Sequence, residues 1–199
     1  MTKLRQTPSQ TIGPYFAYGL SPEQYGYGLA LSSIAGPDMA PPDVEGQRIR
    51  VEGHVHDGAG AVVPDALIEL WQADSLGRYA HPADTRGTNG TFKGFGRCGT
   101  GTHPDRRFWF DTIKPGAPGD GQAPHLNVIV TMRGMLLHVF TRIYFPDEAL
   151  NATDPVLNAV PVERRHTLIA TGPGGSAGGN VYTFDIHMQG VNETVFFDA

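Results

Sequence analysis

A mostly β fold, a β-sandwich with an extended N-terminal arm and one or two short helices, is what this sequence predicts. Three observations lead there. The 199 residues include 26 Gly and 16 Pro, spread between short runs rich in Val, Ile, Phe and Tyr, the pattern of many short strands joined by tight turns. Apolar and polar residues alternate within several of those runs, the period-two signature of half-buried strands. No shift in composition marks a second domain, and the length suffices for one sizeable core.

Residues 1–46 lack sustained periodicity and mix Gly-Pro, Ser-Pro and Pro-Pro breakers with Tyr15, Phe16, Tyr18, Tyr25 and Tyr27. Disordered tails avoid aromatic residues, so this arm is expected to pack on its own domain or on a neighbouring chain. The sandwich domain then runs from 47 to 199. Its first strand is expected over 48–55, where Ile49, Val51 and Val55 alternate with polar neighbours, and Asp57-Gly58 supplies a turn. Further strands are expected at 66–72, 107–113, 126–132, 136–144, 181–189 and 194–197, with a turn at 73–77; about seven short strands so punctuated favour a sandwich. A helix is expected over 162–170, with Pro161 before it and Leu168 and Ile169 as its apolar face, preceded by a short turn at 154–160. Residues 172–179, GPGGSAGG, have the composition of a surface loop.

Charge and composition exclude several functions. Twenty acidic against fifteen basic residues leave a net charge of −5, which gives no general attraction to nucleic acid or to an anionic membrane. One cysteine, Cys98, cannot form an internal disulfide, the start is polar without a signal-like apolar stretch, and no apolar run spans a bilayer. The expectation is a cytoplasmic protein in which the sequons at Asn89, Asn151 and Asn192 carry no glycan.

Among chemistry-bearing residues, His54 and His56 stand two apart on one strand face. No carboxylate or cysteine lies near them at ligand spacing, so they read as surface histidines rather than a metal site. Cys98 is placed in a glycine-rich turn without a sequence-adjacent histidine. Gly94, Gly96 and Gly99 spell G-x-G-x-x-G without the βαβ context that gives the motif meaning, and no G-x-S-x-G occurs.

One stretch is far more specific. Gly53-His54-Val55-His56-Asp57-Gly58, then Val63-Pro64-Asp65-Ala66-Leu67-Ile68-Glu69-Leu70-Trp71-Gln72-Ala73-Asp74 and Gly77-Arg78-Tyr79, resemble the signature of the intradiol ring-cleaving dioxygenases, and the resemblance runs from Thr7 to the C-terminus. It implies a β-sandwich around Fe(III) held by two tyrosines and two histidines. Active chains have their first tyrosine where Tyr79 stands and a His-x-His pair where this chain reads His125-Leu126-Asn127. Asn127 therefore takes the second histidine's place with a neutral amide that binds ferric iron poorly. The other tyrosine is missing from Ala117-Pro118-Gly119-Asp120, and Gln122 replaces an arginine near the iron. Tyr79, Gln122, His125 and Asn127 thus mark a retired iron site, and no metal is expected on this chain.

Within the family this pattern is similar to the alpha chain of an alpha–beta enzyme whose beta subunit holds the Fe(III). The stretches Thr7-Pro8-Ser9-Gln10-Thr11, Gly13-Pro14-Tyr15, Ala123-Pro124-His125, Arg133-Gly134 and Thr141-Arg142-Ile143-Tyr144-Phe145 carry that likeness. By it, Thr11, Gly13 and Pro14 would wall the beta subunit's pocket, and Arg133 would reach a substrate carboxylate. On their own, Gly13-Pro14 reads as an ordinary turn and Arg133 as a solvated hairpin residue. The implied reaction, on the partner's iron, is O2-dependent cleavage of 3,4-dihydroxybenzoate between its hydroxyls to 3-carboxy-cis,cis-muconate, in aromatic catabolism through the beta-ketoadipate route. Two alternatives stay open: a self-sufficient catechol-type enzyme, and a non-catalytic prealbumin-like binding module.

Overall fold

In β1 (Arg48–Gly53), alternation buries Ile49 and Val51 and leaves Arg50 and Glu52 on the outer face. Its antiparallel neighbour β5 (Phe108–Ile113) answers in register, Val51 opposite Phe110 and Ile49 opposite Thr112, so the inner faces of both strands meet the same core. On the outside Arg50 and Asp111, directly opposed, form a bidentate pair at 2.7 and 2.6 Å. The structure is a computed structural model and describes residues 11, 13–27, 35–87, 89–173 and 180–198.

A parallel strand, β8 (Val181–Thr183), completes this sheet in the order β5-β1-β8, and a short parallel pair of β2 (Val55–His56) and β9 (Ile186–His187) extends the layer. The second sheet has the order β4-β3-β6-β7, all antiparallel, from β3 (Leu67–Gln72), β4 (Phe95–Gly99), β6 (His125–Thr131) and β7 (Val139–Tyr144). Ile68, Leu70, Cys98, Leu126, Val128 and Val130 from this sheet pack with Val51, Phe108, Phe110 and Tyr182 from the other in one apolar cluster. Each fully buried Leu, Ile, Val or Phe there stabilises the fold by roughly 1.5–3 kcal/mol. Gln72, a long buried polar side chain in this layer, is satisfied: it donates to the carbonyls of Ala73 and Ile113 and accepts from Thr112.

The β-sandwich expectation holds, and several elements differ. The predicted helix over 162–170 is a single 3₁₀ turn, Arg165–Leu168, because only Leu168 and Ile169 offer an apolar face. The α-helix lies earlier, as α2 (Pro155–Ala159), where Asp154 caps Leu157 N at 2.8 Å and Pro155 opens the first turn. Another short helix, α1 (Pro14–Leu20), sits in the arm. Cys98 lies in β4, not in a turn, and is fully buried. Glycines masked that strand in the sequence, yet at Gly96 the missing side chain admits Met39, which a Cβ would strike. Residues 194–197 form no strand and make only an isolated bridge from Phe197 to Phe140. In the arm, Gln24 hydrogen-bonds to Gly99 and Thr102, while Met39 N and Asp111 O join residues 37–39 to β5. Of the glycine-rich stretch, residues 174–179 lie outside the described residues, as do residues 1–10.

Candidate functional site

β6 carries its even residues into the core, so its odd residues, His125 and Asn127, emerge on the outer face of the four-stranded sheet. The ladder places Trp71 of β3 opposite Asn127 on one side and Arg142 of β7 opposite it on the other, with Tyr144 opposite His125. Beside them the chain after β3 turns at Asp74, which accepts from the backbone N–H of Leu76 and Arg78 and holds the Arg78 guanidinium. Gly77 (φ 77°) packs there against the Ala117 carbonyl where a Cβ has no room. Tyr79 follows and stacks on Trp71, with ring centroids 5.8 Å apart and nearly parallel.

A cleft of about 650 Å3 opens beside this face, lined among others by Trp71, Tyr79, Asp84, Arg86, Pro118 and Asp120. Arg86 grips Asp84 bidentately and donates to the Gly77 and Pro118 carbonyls, tying the two walls together. That pairing, with backbone donors from Tyr79 and Arg86, holds the Asp84 carboxyl well below the usual range. Asp84 also accepts from Tyr79 N at 2.8 Å, which fixes the phenol's backbone.

The polar groups of the site are engaged with one another. Asn127 Nδ2 lies 3.4 Å from both the Tyr79 hydroxyl and the Trp71 carbonyl. Burial raises the Tyr79 phenol above its ordinary pKa, opposed by the Asn127 donor and by the charges of Arg142 and Arg86. Arg142 Nη1 donates to Gln122 Oε1 at 2.9 Å. His125 is buried and its Nδ1 is 2.8 Å from the Ala123 carbonyl; a carbonyl only accepts, so Nδ1 carries the proton. Burial and then the Arg142 charge push this imidazole down to about 4, so it is neutral at physiological pH.

The expected pocket residues lie elsewhere. Thr11 Oγ1 accepts from Gly134 N at 3.1 Å, and Gly13 accepts from Phe16 N as the chain enters α1 at Pro14. Arg133, in the same β6–β7 hairpin as Gly134, pairs with Asp65 through Nε and Nη2. Asn127 and Thr131 alone are four residues apart on β6, about 13 Å, so Tyr79, Gln122, His125 and Asn127 form one group at one end of the strand while Thr11 and Arg133 belong to the other. Sequence reading missed Arg142, Asp84 and Arg86; register with Asn127 was the only signal for Arg142, and it requires knowing which strands pair.

The sequence pattern of the dioxygenase family matches residues 37–190. This chain belongs to that family. The protocatechuate 3,4-dioxygenase alpha chain of Burkholderia cepacia is 53% identical over 200 residues, covering 100% of both chains. That of Pseudomonas putida is 43% identical, covering 98% of this chain and 97% of its own. The corresponding beta chain of Burkholderia cepacia is 37% identical over 75% of this chain and 67% of its own. Among solved structures, the dioxygenase domain of a carbohydrate-binding fusion from Streptomyces sp. SirexAA-E superposes with a TM-score of 0.58 at 23% identity, covering 91% of this chain and 97% of that one. The 3-chlorocatechol 1,2-dioxygenase of Rhodococcus opacus 1CP gives 0.57 at 22% identity, covering 81% and 68%; both show the shared fold.

Non-haem iron is the cofactor of this dioxygenase family, and the donors gathered here fit a ferric ion poorly. Besides Tyr79 and His125 they are two neutral amides, Gln122 and Asn127, and the guanidinium of Arg142 stands in the ladder position beside Asn127. A fixed cation opposes a trivalent one, and amide oxygens do not replace the anionic or imidazole donors it needs.

Proposed function

We propose that this dioxygenase chain is the alpha subunit of a protocatechuate 3,4-dioxygenase complex and that the Fe(III) resides on its beta partner. The observation that carries this reading is Arg142, whose guanidinium bonds Gln122 and whose charge acts on both Tyr79 and His125. The close similarity to named alpha chains over their full length supports it, as does the existence of a related beta chain. Tyr79, Gln122, His125 and Asn127 are then structural remnants of an iron site, their polar atoms satisfied by the Tyr79–Asn127 contact, by Arg142 and by the Ala123 carbonyl.

The other end of β6 supplies this chain's part in the reaction. Residues 1–46 form the arm that reaches the partner, Thr11, Gly13 and Pro14 wall the beta subunit's pocket, and Arg133 recognises the substrate carboxylate. Asp65 holds Nε and Nη2 of Arg133, while Nη1 has no protein acceptor among the described residues, which suits it to an outside carboxylate. Leu136 and Leu137, 64% and 68% exposed in the same hairpin, give that end the apolar character of a covered surface. The iron, when bound to the partner, supplies O2-dependent ring cleavage of the catechol; this chain supplies shape and charge. Among the described residues no helix is long and apolar enough to cross a membrane, in keeping with a cytoplasmic complex.

The test is iron content and visible absorbance of this chain purified alone and after co-expression with a beta chain. Iron, tyrosinate-to-iron colour and protocatechuate-dependent O2 uptake are expected only in the complex. A coloured, active chain on its own would overturn the assignment.

A further inference from the structure

Outside the cleft, β2 and β9 form a parallel ladder that pairs Val55 with Ile186 and His56 with His187. Val55 and Ile186 turn fully into the core, so the period of two sends His54, His56, Asp185 and His187 to the other side. There His54 Nδ1 stands 3.4 Å from Asp185 Oδ1 and His56 Nε2 4.0 Å from Asp185 Oδ2. One ligand atom from each of the three lies within 4.8 Å of the others. Two nitrogen or oxygen donors on a tetrahedral zinc ion are about 3.3 Å apart, so only small side-chain rotations separate this arrangement from a closed site.

Groups behind two of the three donors, His56 and Asp185, orient them as ligands. His56 Nδ1 is 3.2 Å from the Gly60 carbonyl, which can only accept; the proton therefore sits on Nδ1, and Nε2 offers its lone pair beside Asp185. Asp57 Oδ1 fixes that turn by accepting from Ala59 N and Ala61 N, both at 2.9 Å. The Asp185 carboxylate is itself held by His54 N at 2.8 Å. His187 stacks on His56 with centroids 4.9 Å apart and planes 13° from parallel, which sets the ring plane. The three donor side chains remain 19–40% exposed, so an ion and a completing water have access.

We propose that His54, His56 and Asp185 bind one divalent cation of the zinc class. Two imidazoles and one carboxylate suit zinc and its borderline neighbours; calcium and magnesium require more oxygen donors than this site has. The ion would join residues far apart in the chain, clamping the extension of β1 to the last strand, and would stabilise the native chain by mass action.

Calorimetric titration of zinc chloride into the chelator-washed full chain, with cobalt(II) absorbance as a second readout, tests this. One zinc per chain and a rise in thermal midpoint at saturating zinc are expected. Asp185→Asn, which keeps an acceptor for His54 N, and His56→Gln should each weaken binding at least as much as loss of an outer partner does, roughly 10- to 100-fold. His138→Gln, at an exposed histidine in the β6–β7 hairpin, should bind as the parent does. Absence of stoichiometric zinc in the parent chain, or undiminished affinity in Asp185→Asn, would overturn the assignment.

Discussion

His125 shows how the titration of a single side chain is set by its surroundings. Desolvation first, and then the Arg142 charge, lower its pKa to about 4, against the hydrogen bond to Ala123 that favours the charged form. The unfolded chain takes up a proton on this residue near pH 6.5, whereas the folded chain resists until about pH 4. Stability owed to neutral His125 is therefore complete above 6.5 and is lost as pH falls through that window, by roughly 3 kcal/mol in all. Urea unfolding at a series of pH values should show this, and His125→Gln should flatten the fall between 6.5 and 4. A variant whose acid profile parallels the parent's would disprove the point. The sequence singles out His125 only through its resemblance, and the direction of its titration depends on burial and on a charge from another strand.

At the scale of elements, Asp154 is the junction between α2 and the four-stranded sheet. It is fully buried, caps Leu157 N, accepts Ala123 N at 2.7 Å and receives the Tyr144 hydroxyl at 3.1 Å. Around it Ala123, Tyr144, Leu157, Val160 and Leu168 form a second apolar cluster that closes one end of the outer face. Asp154→Ala would strand three donors in a dry site and should cost roughly 3 kcal/mol or more, measurable as a lowered denaturant midpoint. An unchanged midpoint would show that water or a rearranged turn replaces the carboxylate. The 154–160 segment reads in the sequence as a turn preceding a helix, and the order is reversed in the structure. Capping by Asp154 and Pro155 at the first position were both legible; their tertiary partners, which make this short helix worth forming, were not. β4 escaped for the opposite reason, since its glycines lower strand propensity while β3 and Met39 reward the close approach.

For the whole molecule, two groups of polar residues are separated along β6. At one end Asn127 hydrogen-bonds Tyr79 and Arg142 hydrogen-bonds Gln122, beside the neutral His125, and Thr11, Arg133 and the exposed Leu136 and Leu137 gather towards the other. In the alpha–beta complex, Arg133→Ala should raise KM for protocatechuate by roughly tenfold or more, with little effect on KM for catechol. Equal effects on both substrates would remove the carboxylate role. By itself the sequence determined the sandwich class, most strand positions and the family, because period-two burial, turn residues and signature motifs are local. Only the tertiary structure decided that Arg142 stands beside Asn127 and that Asp185 completes a group with His54 and His56. Those neighbours are set by strand pairing between distant segments, and no local spacing encodes them.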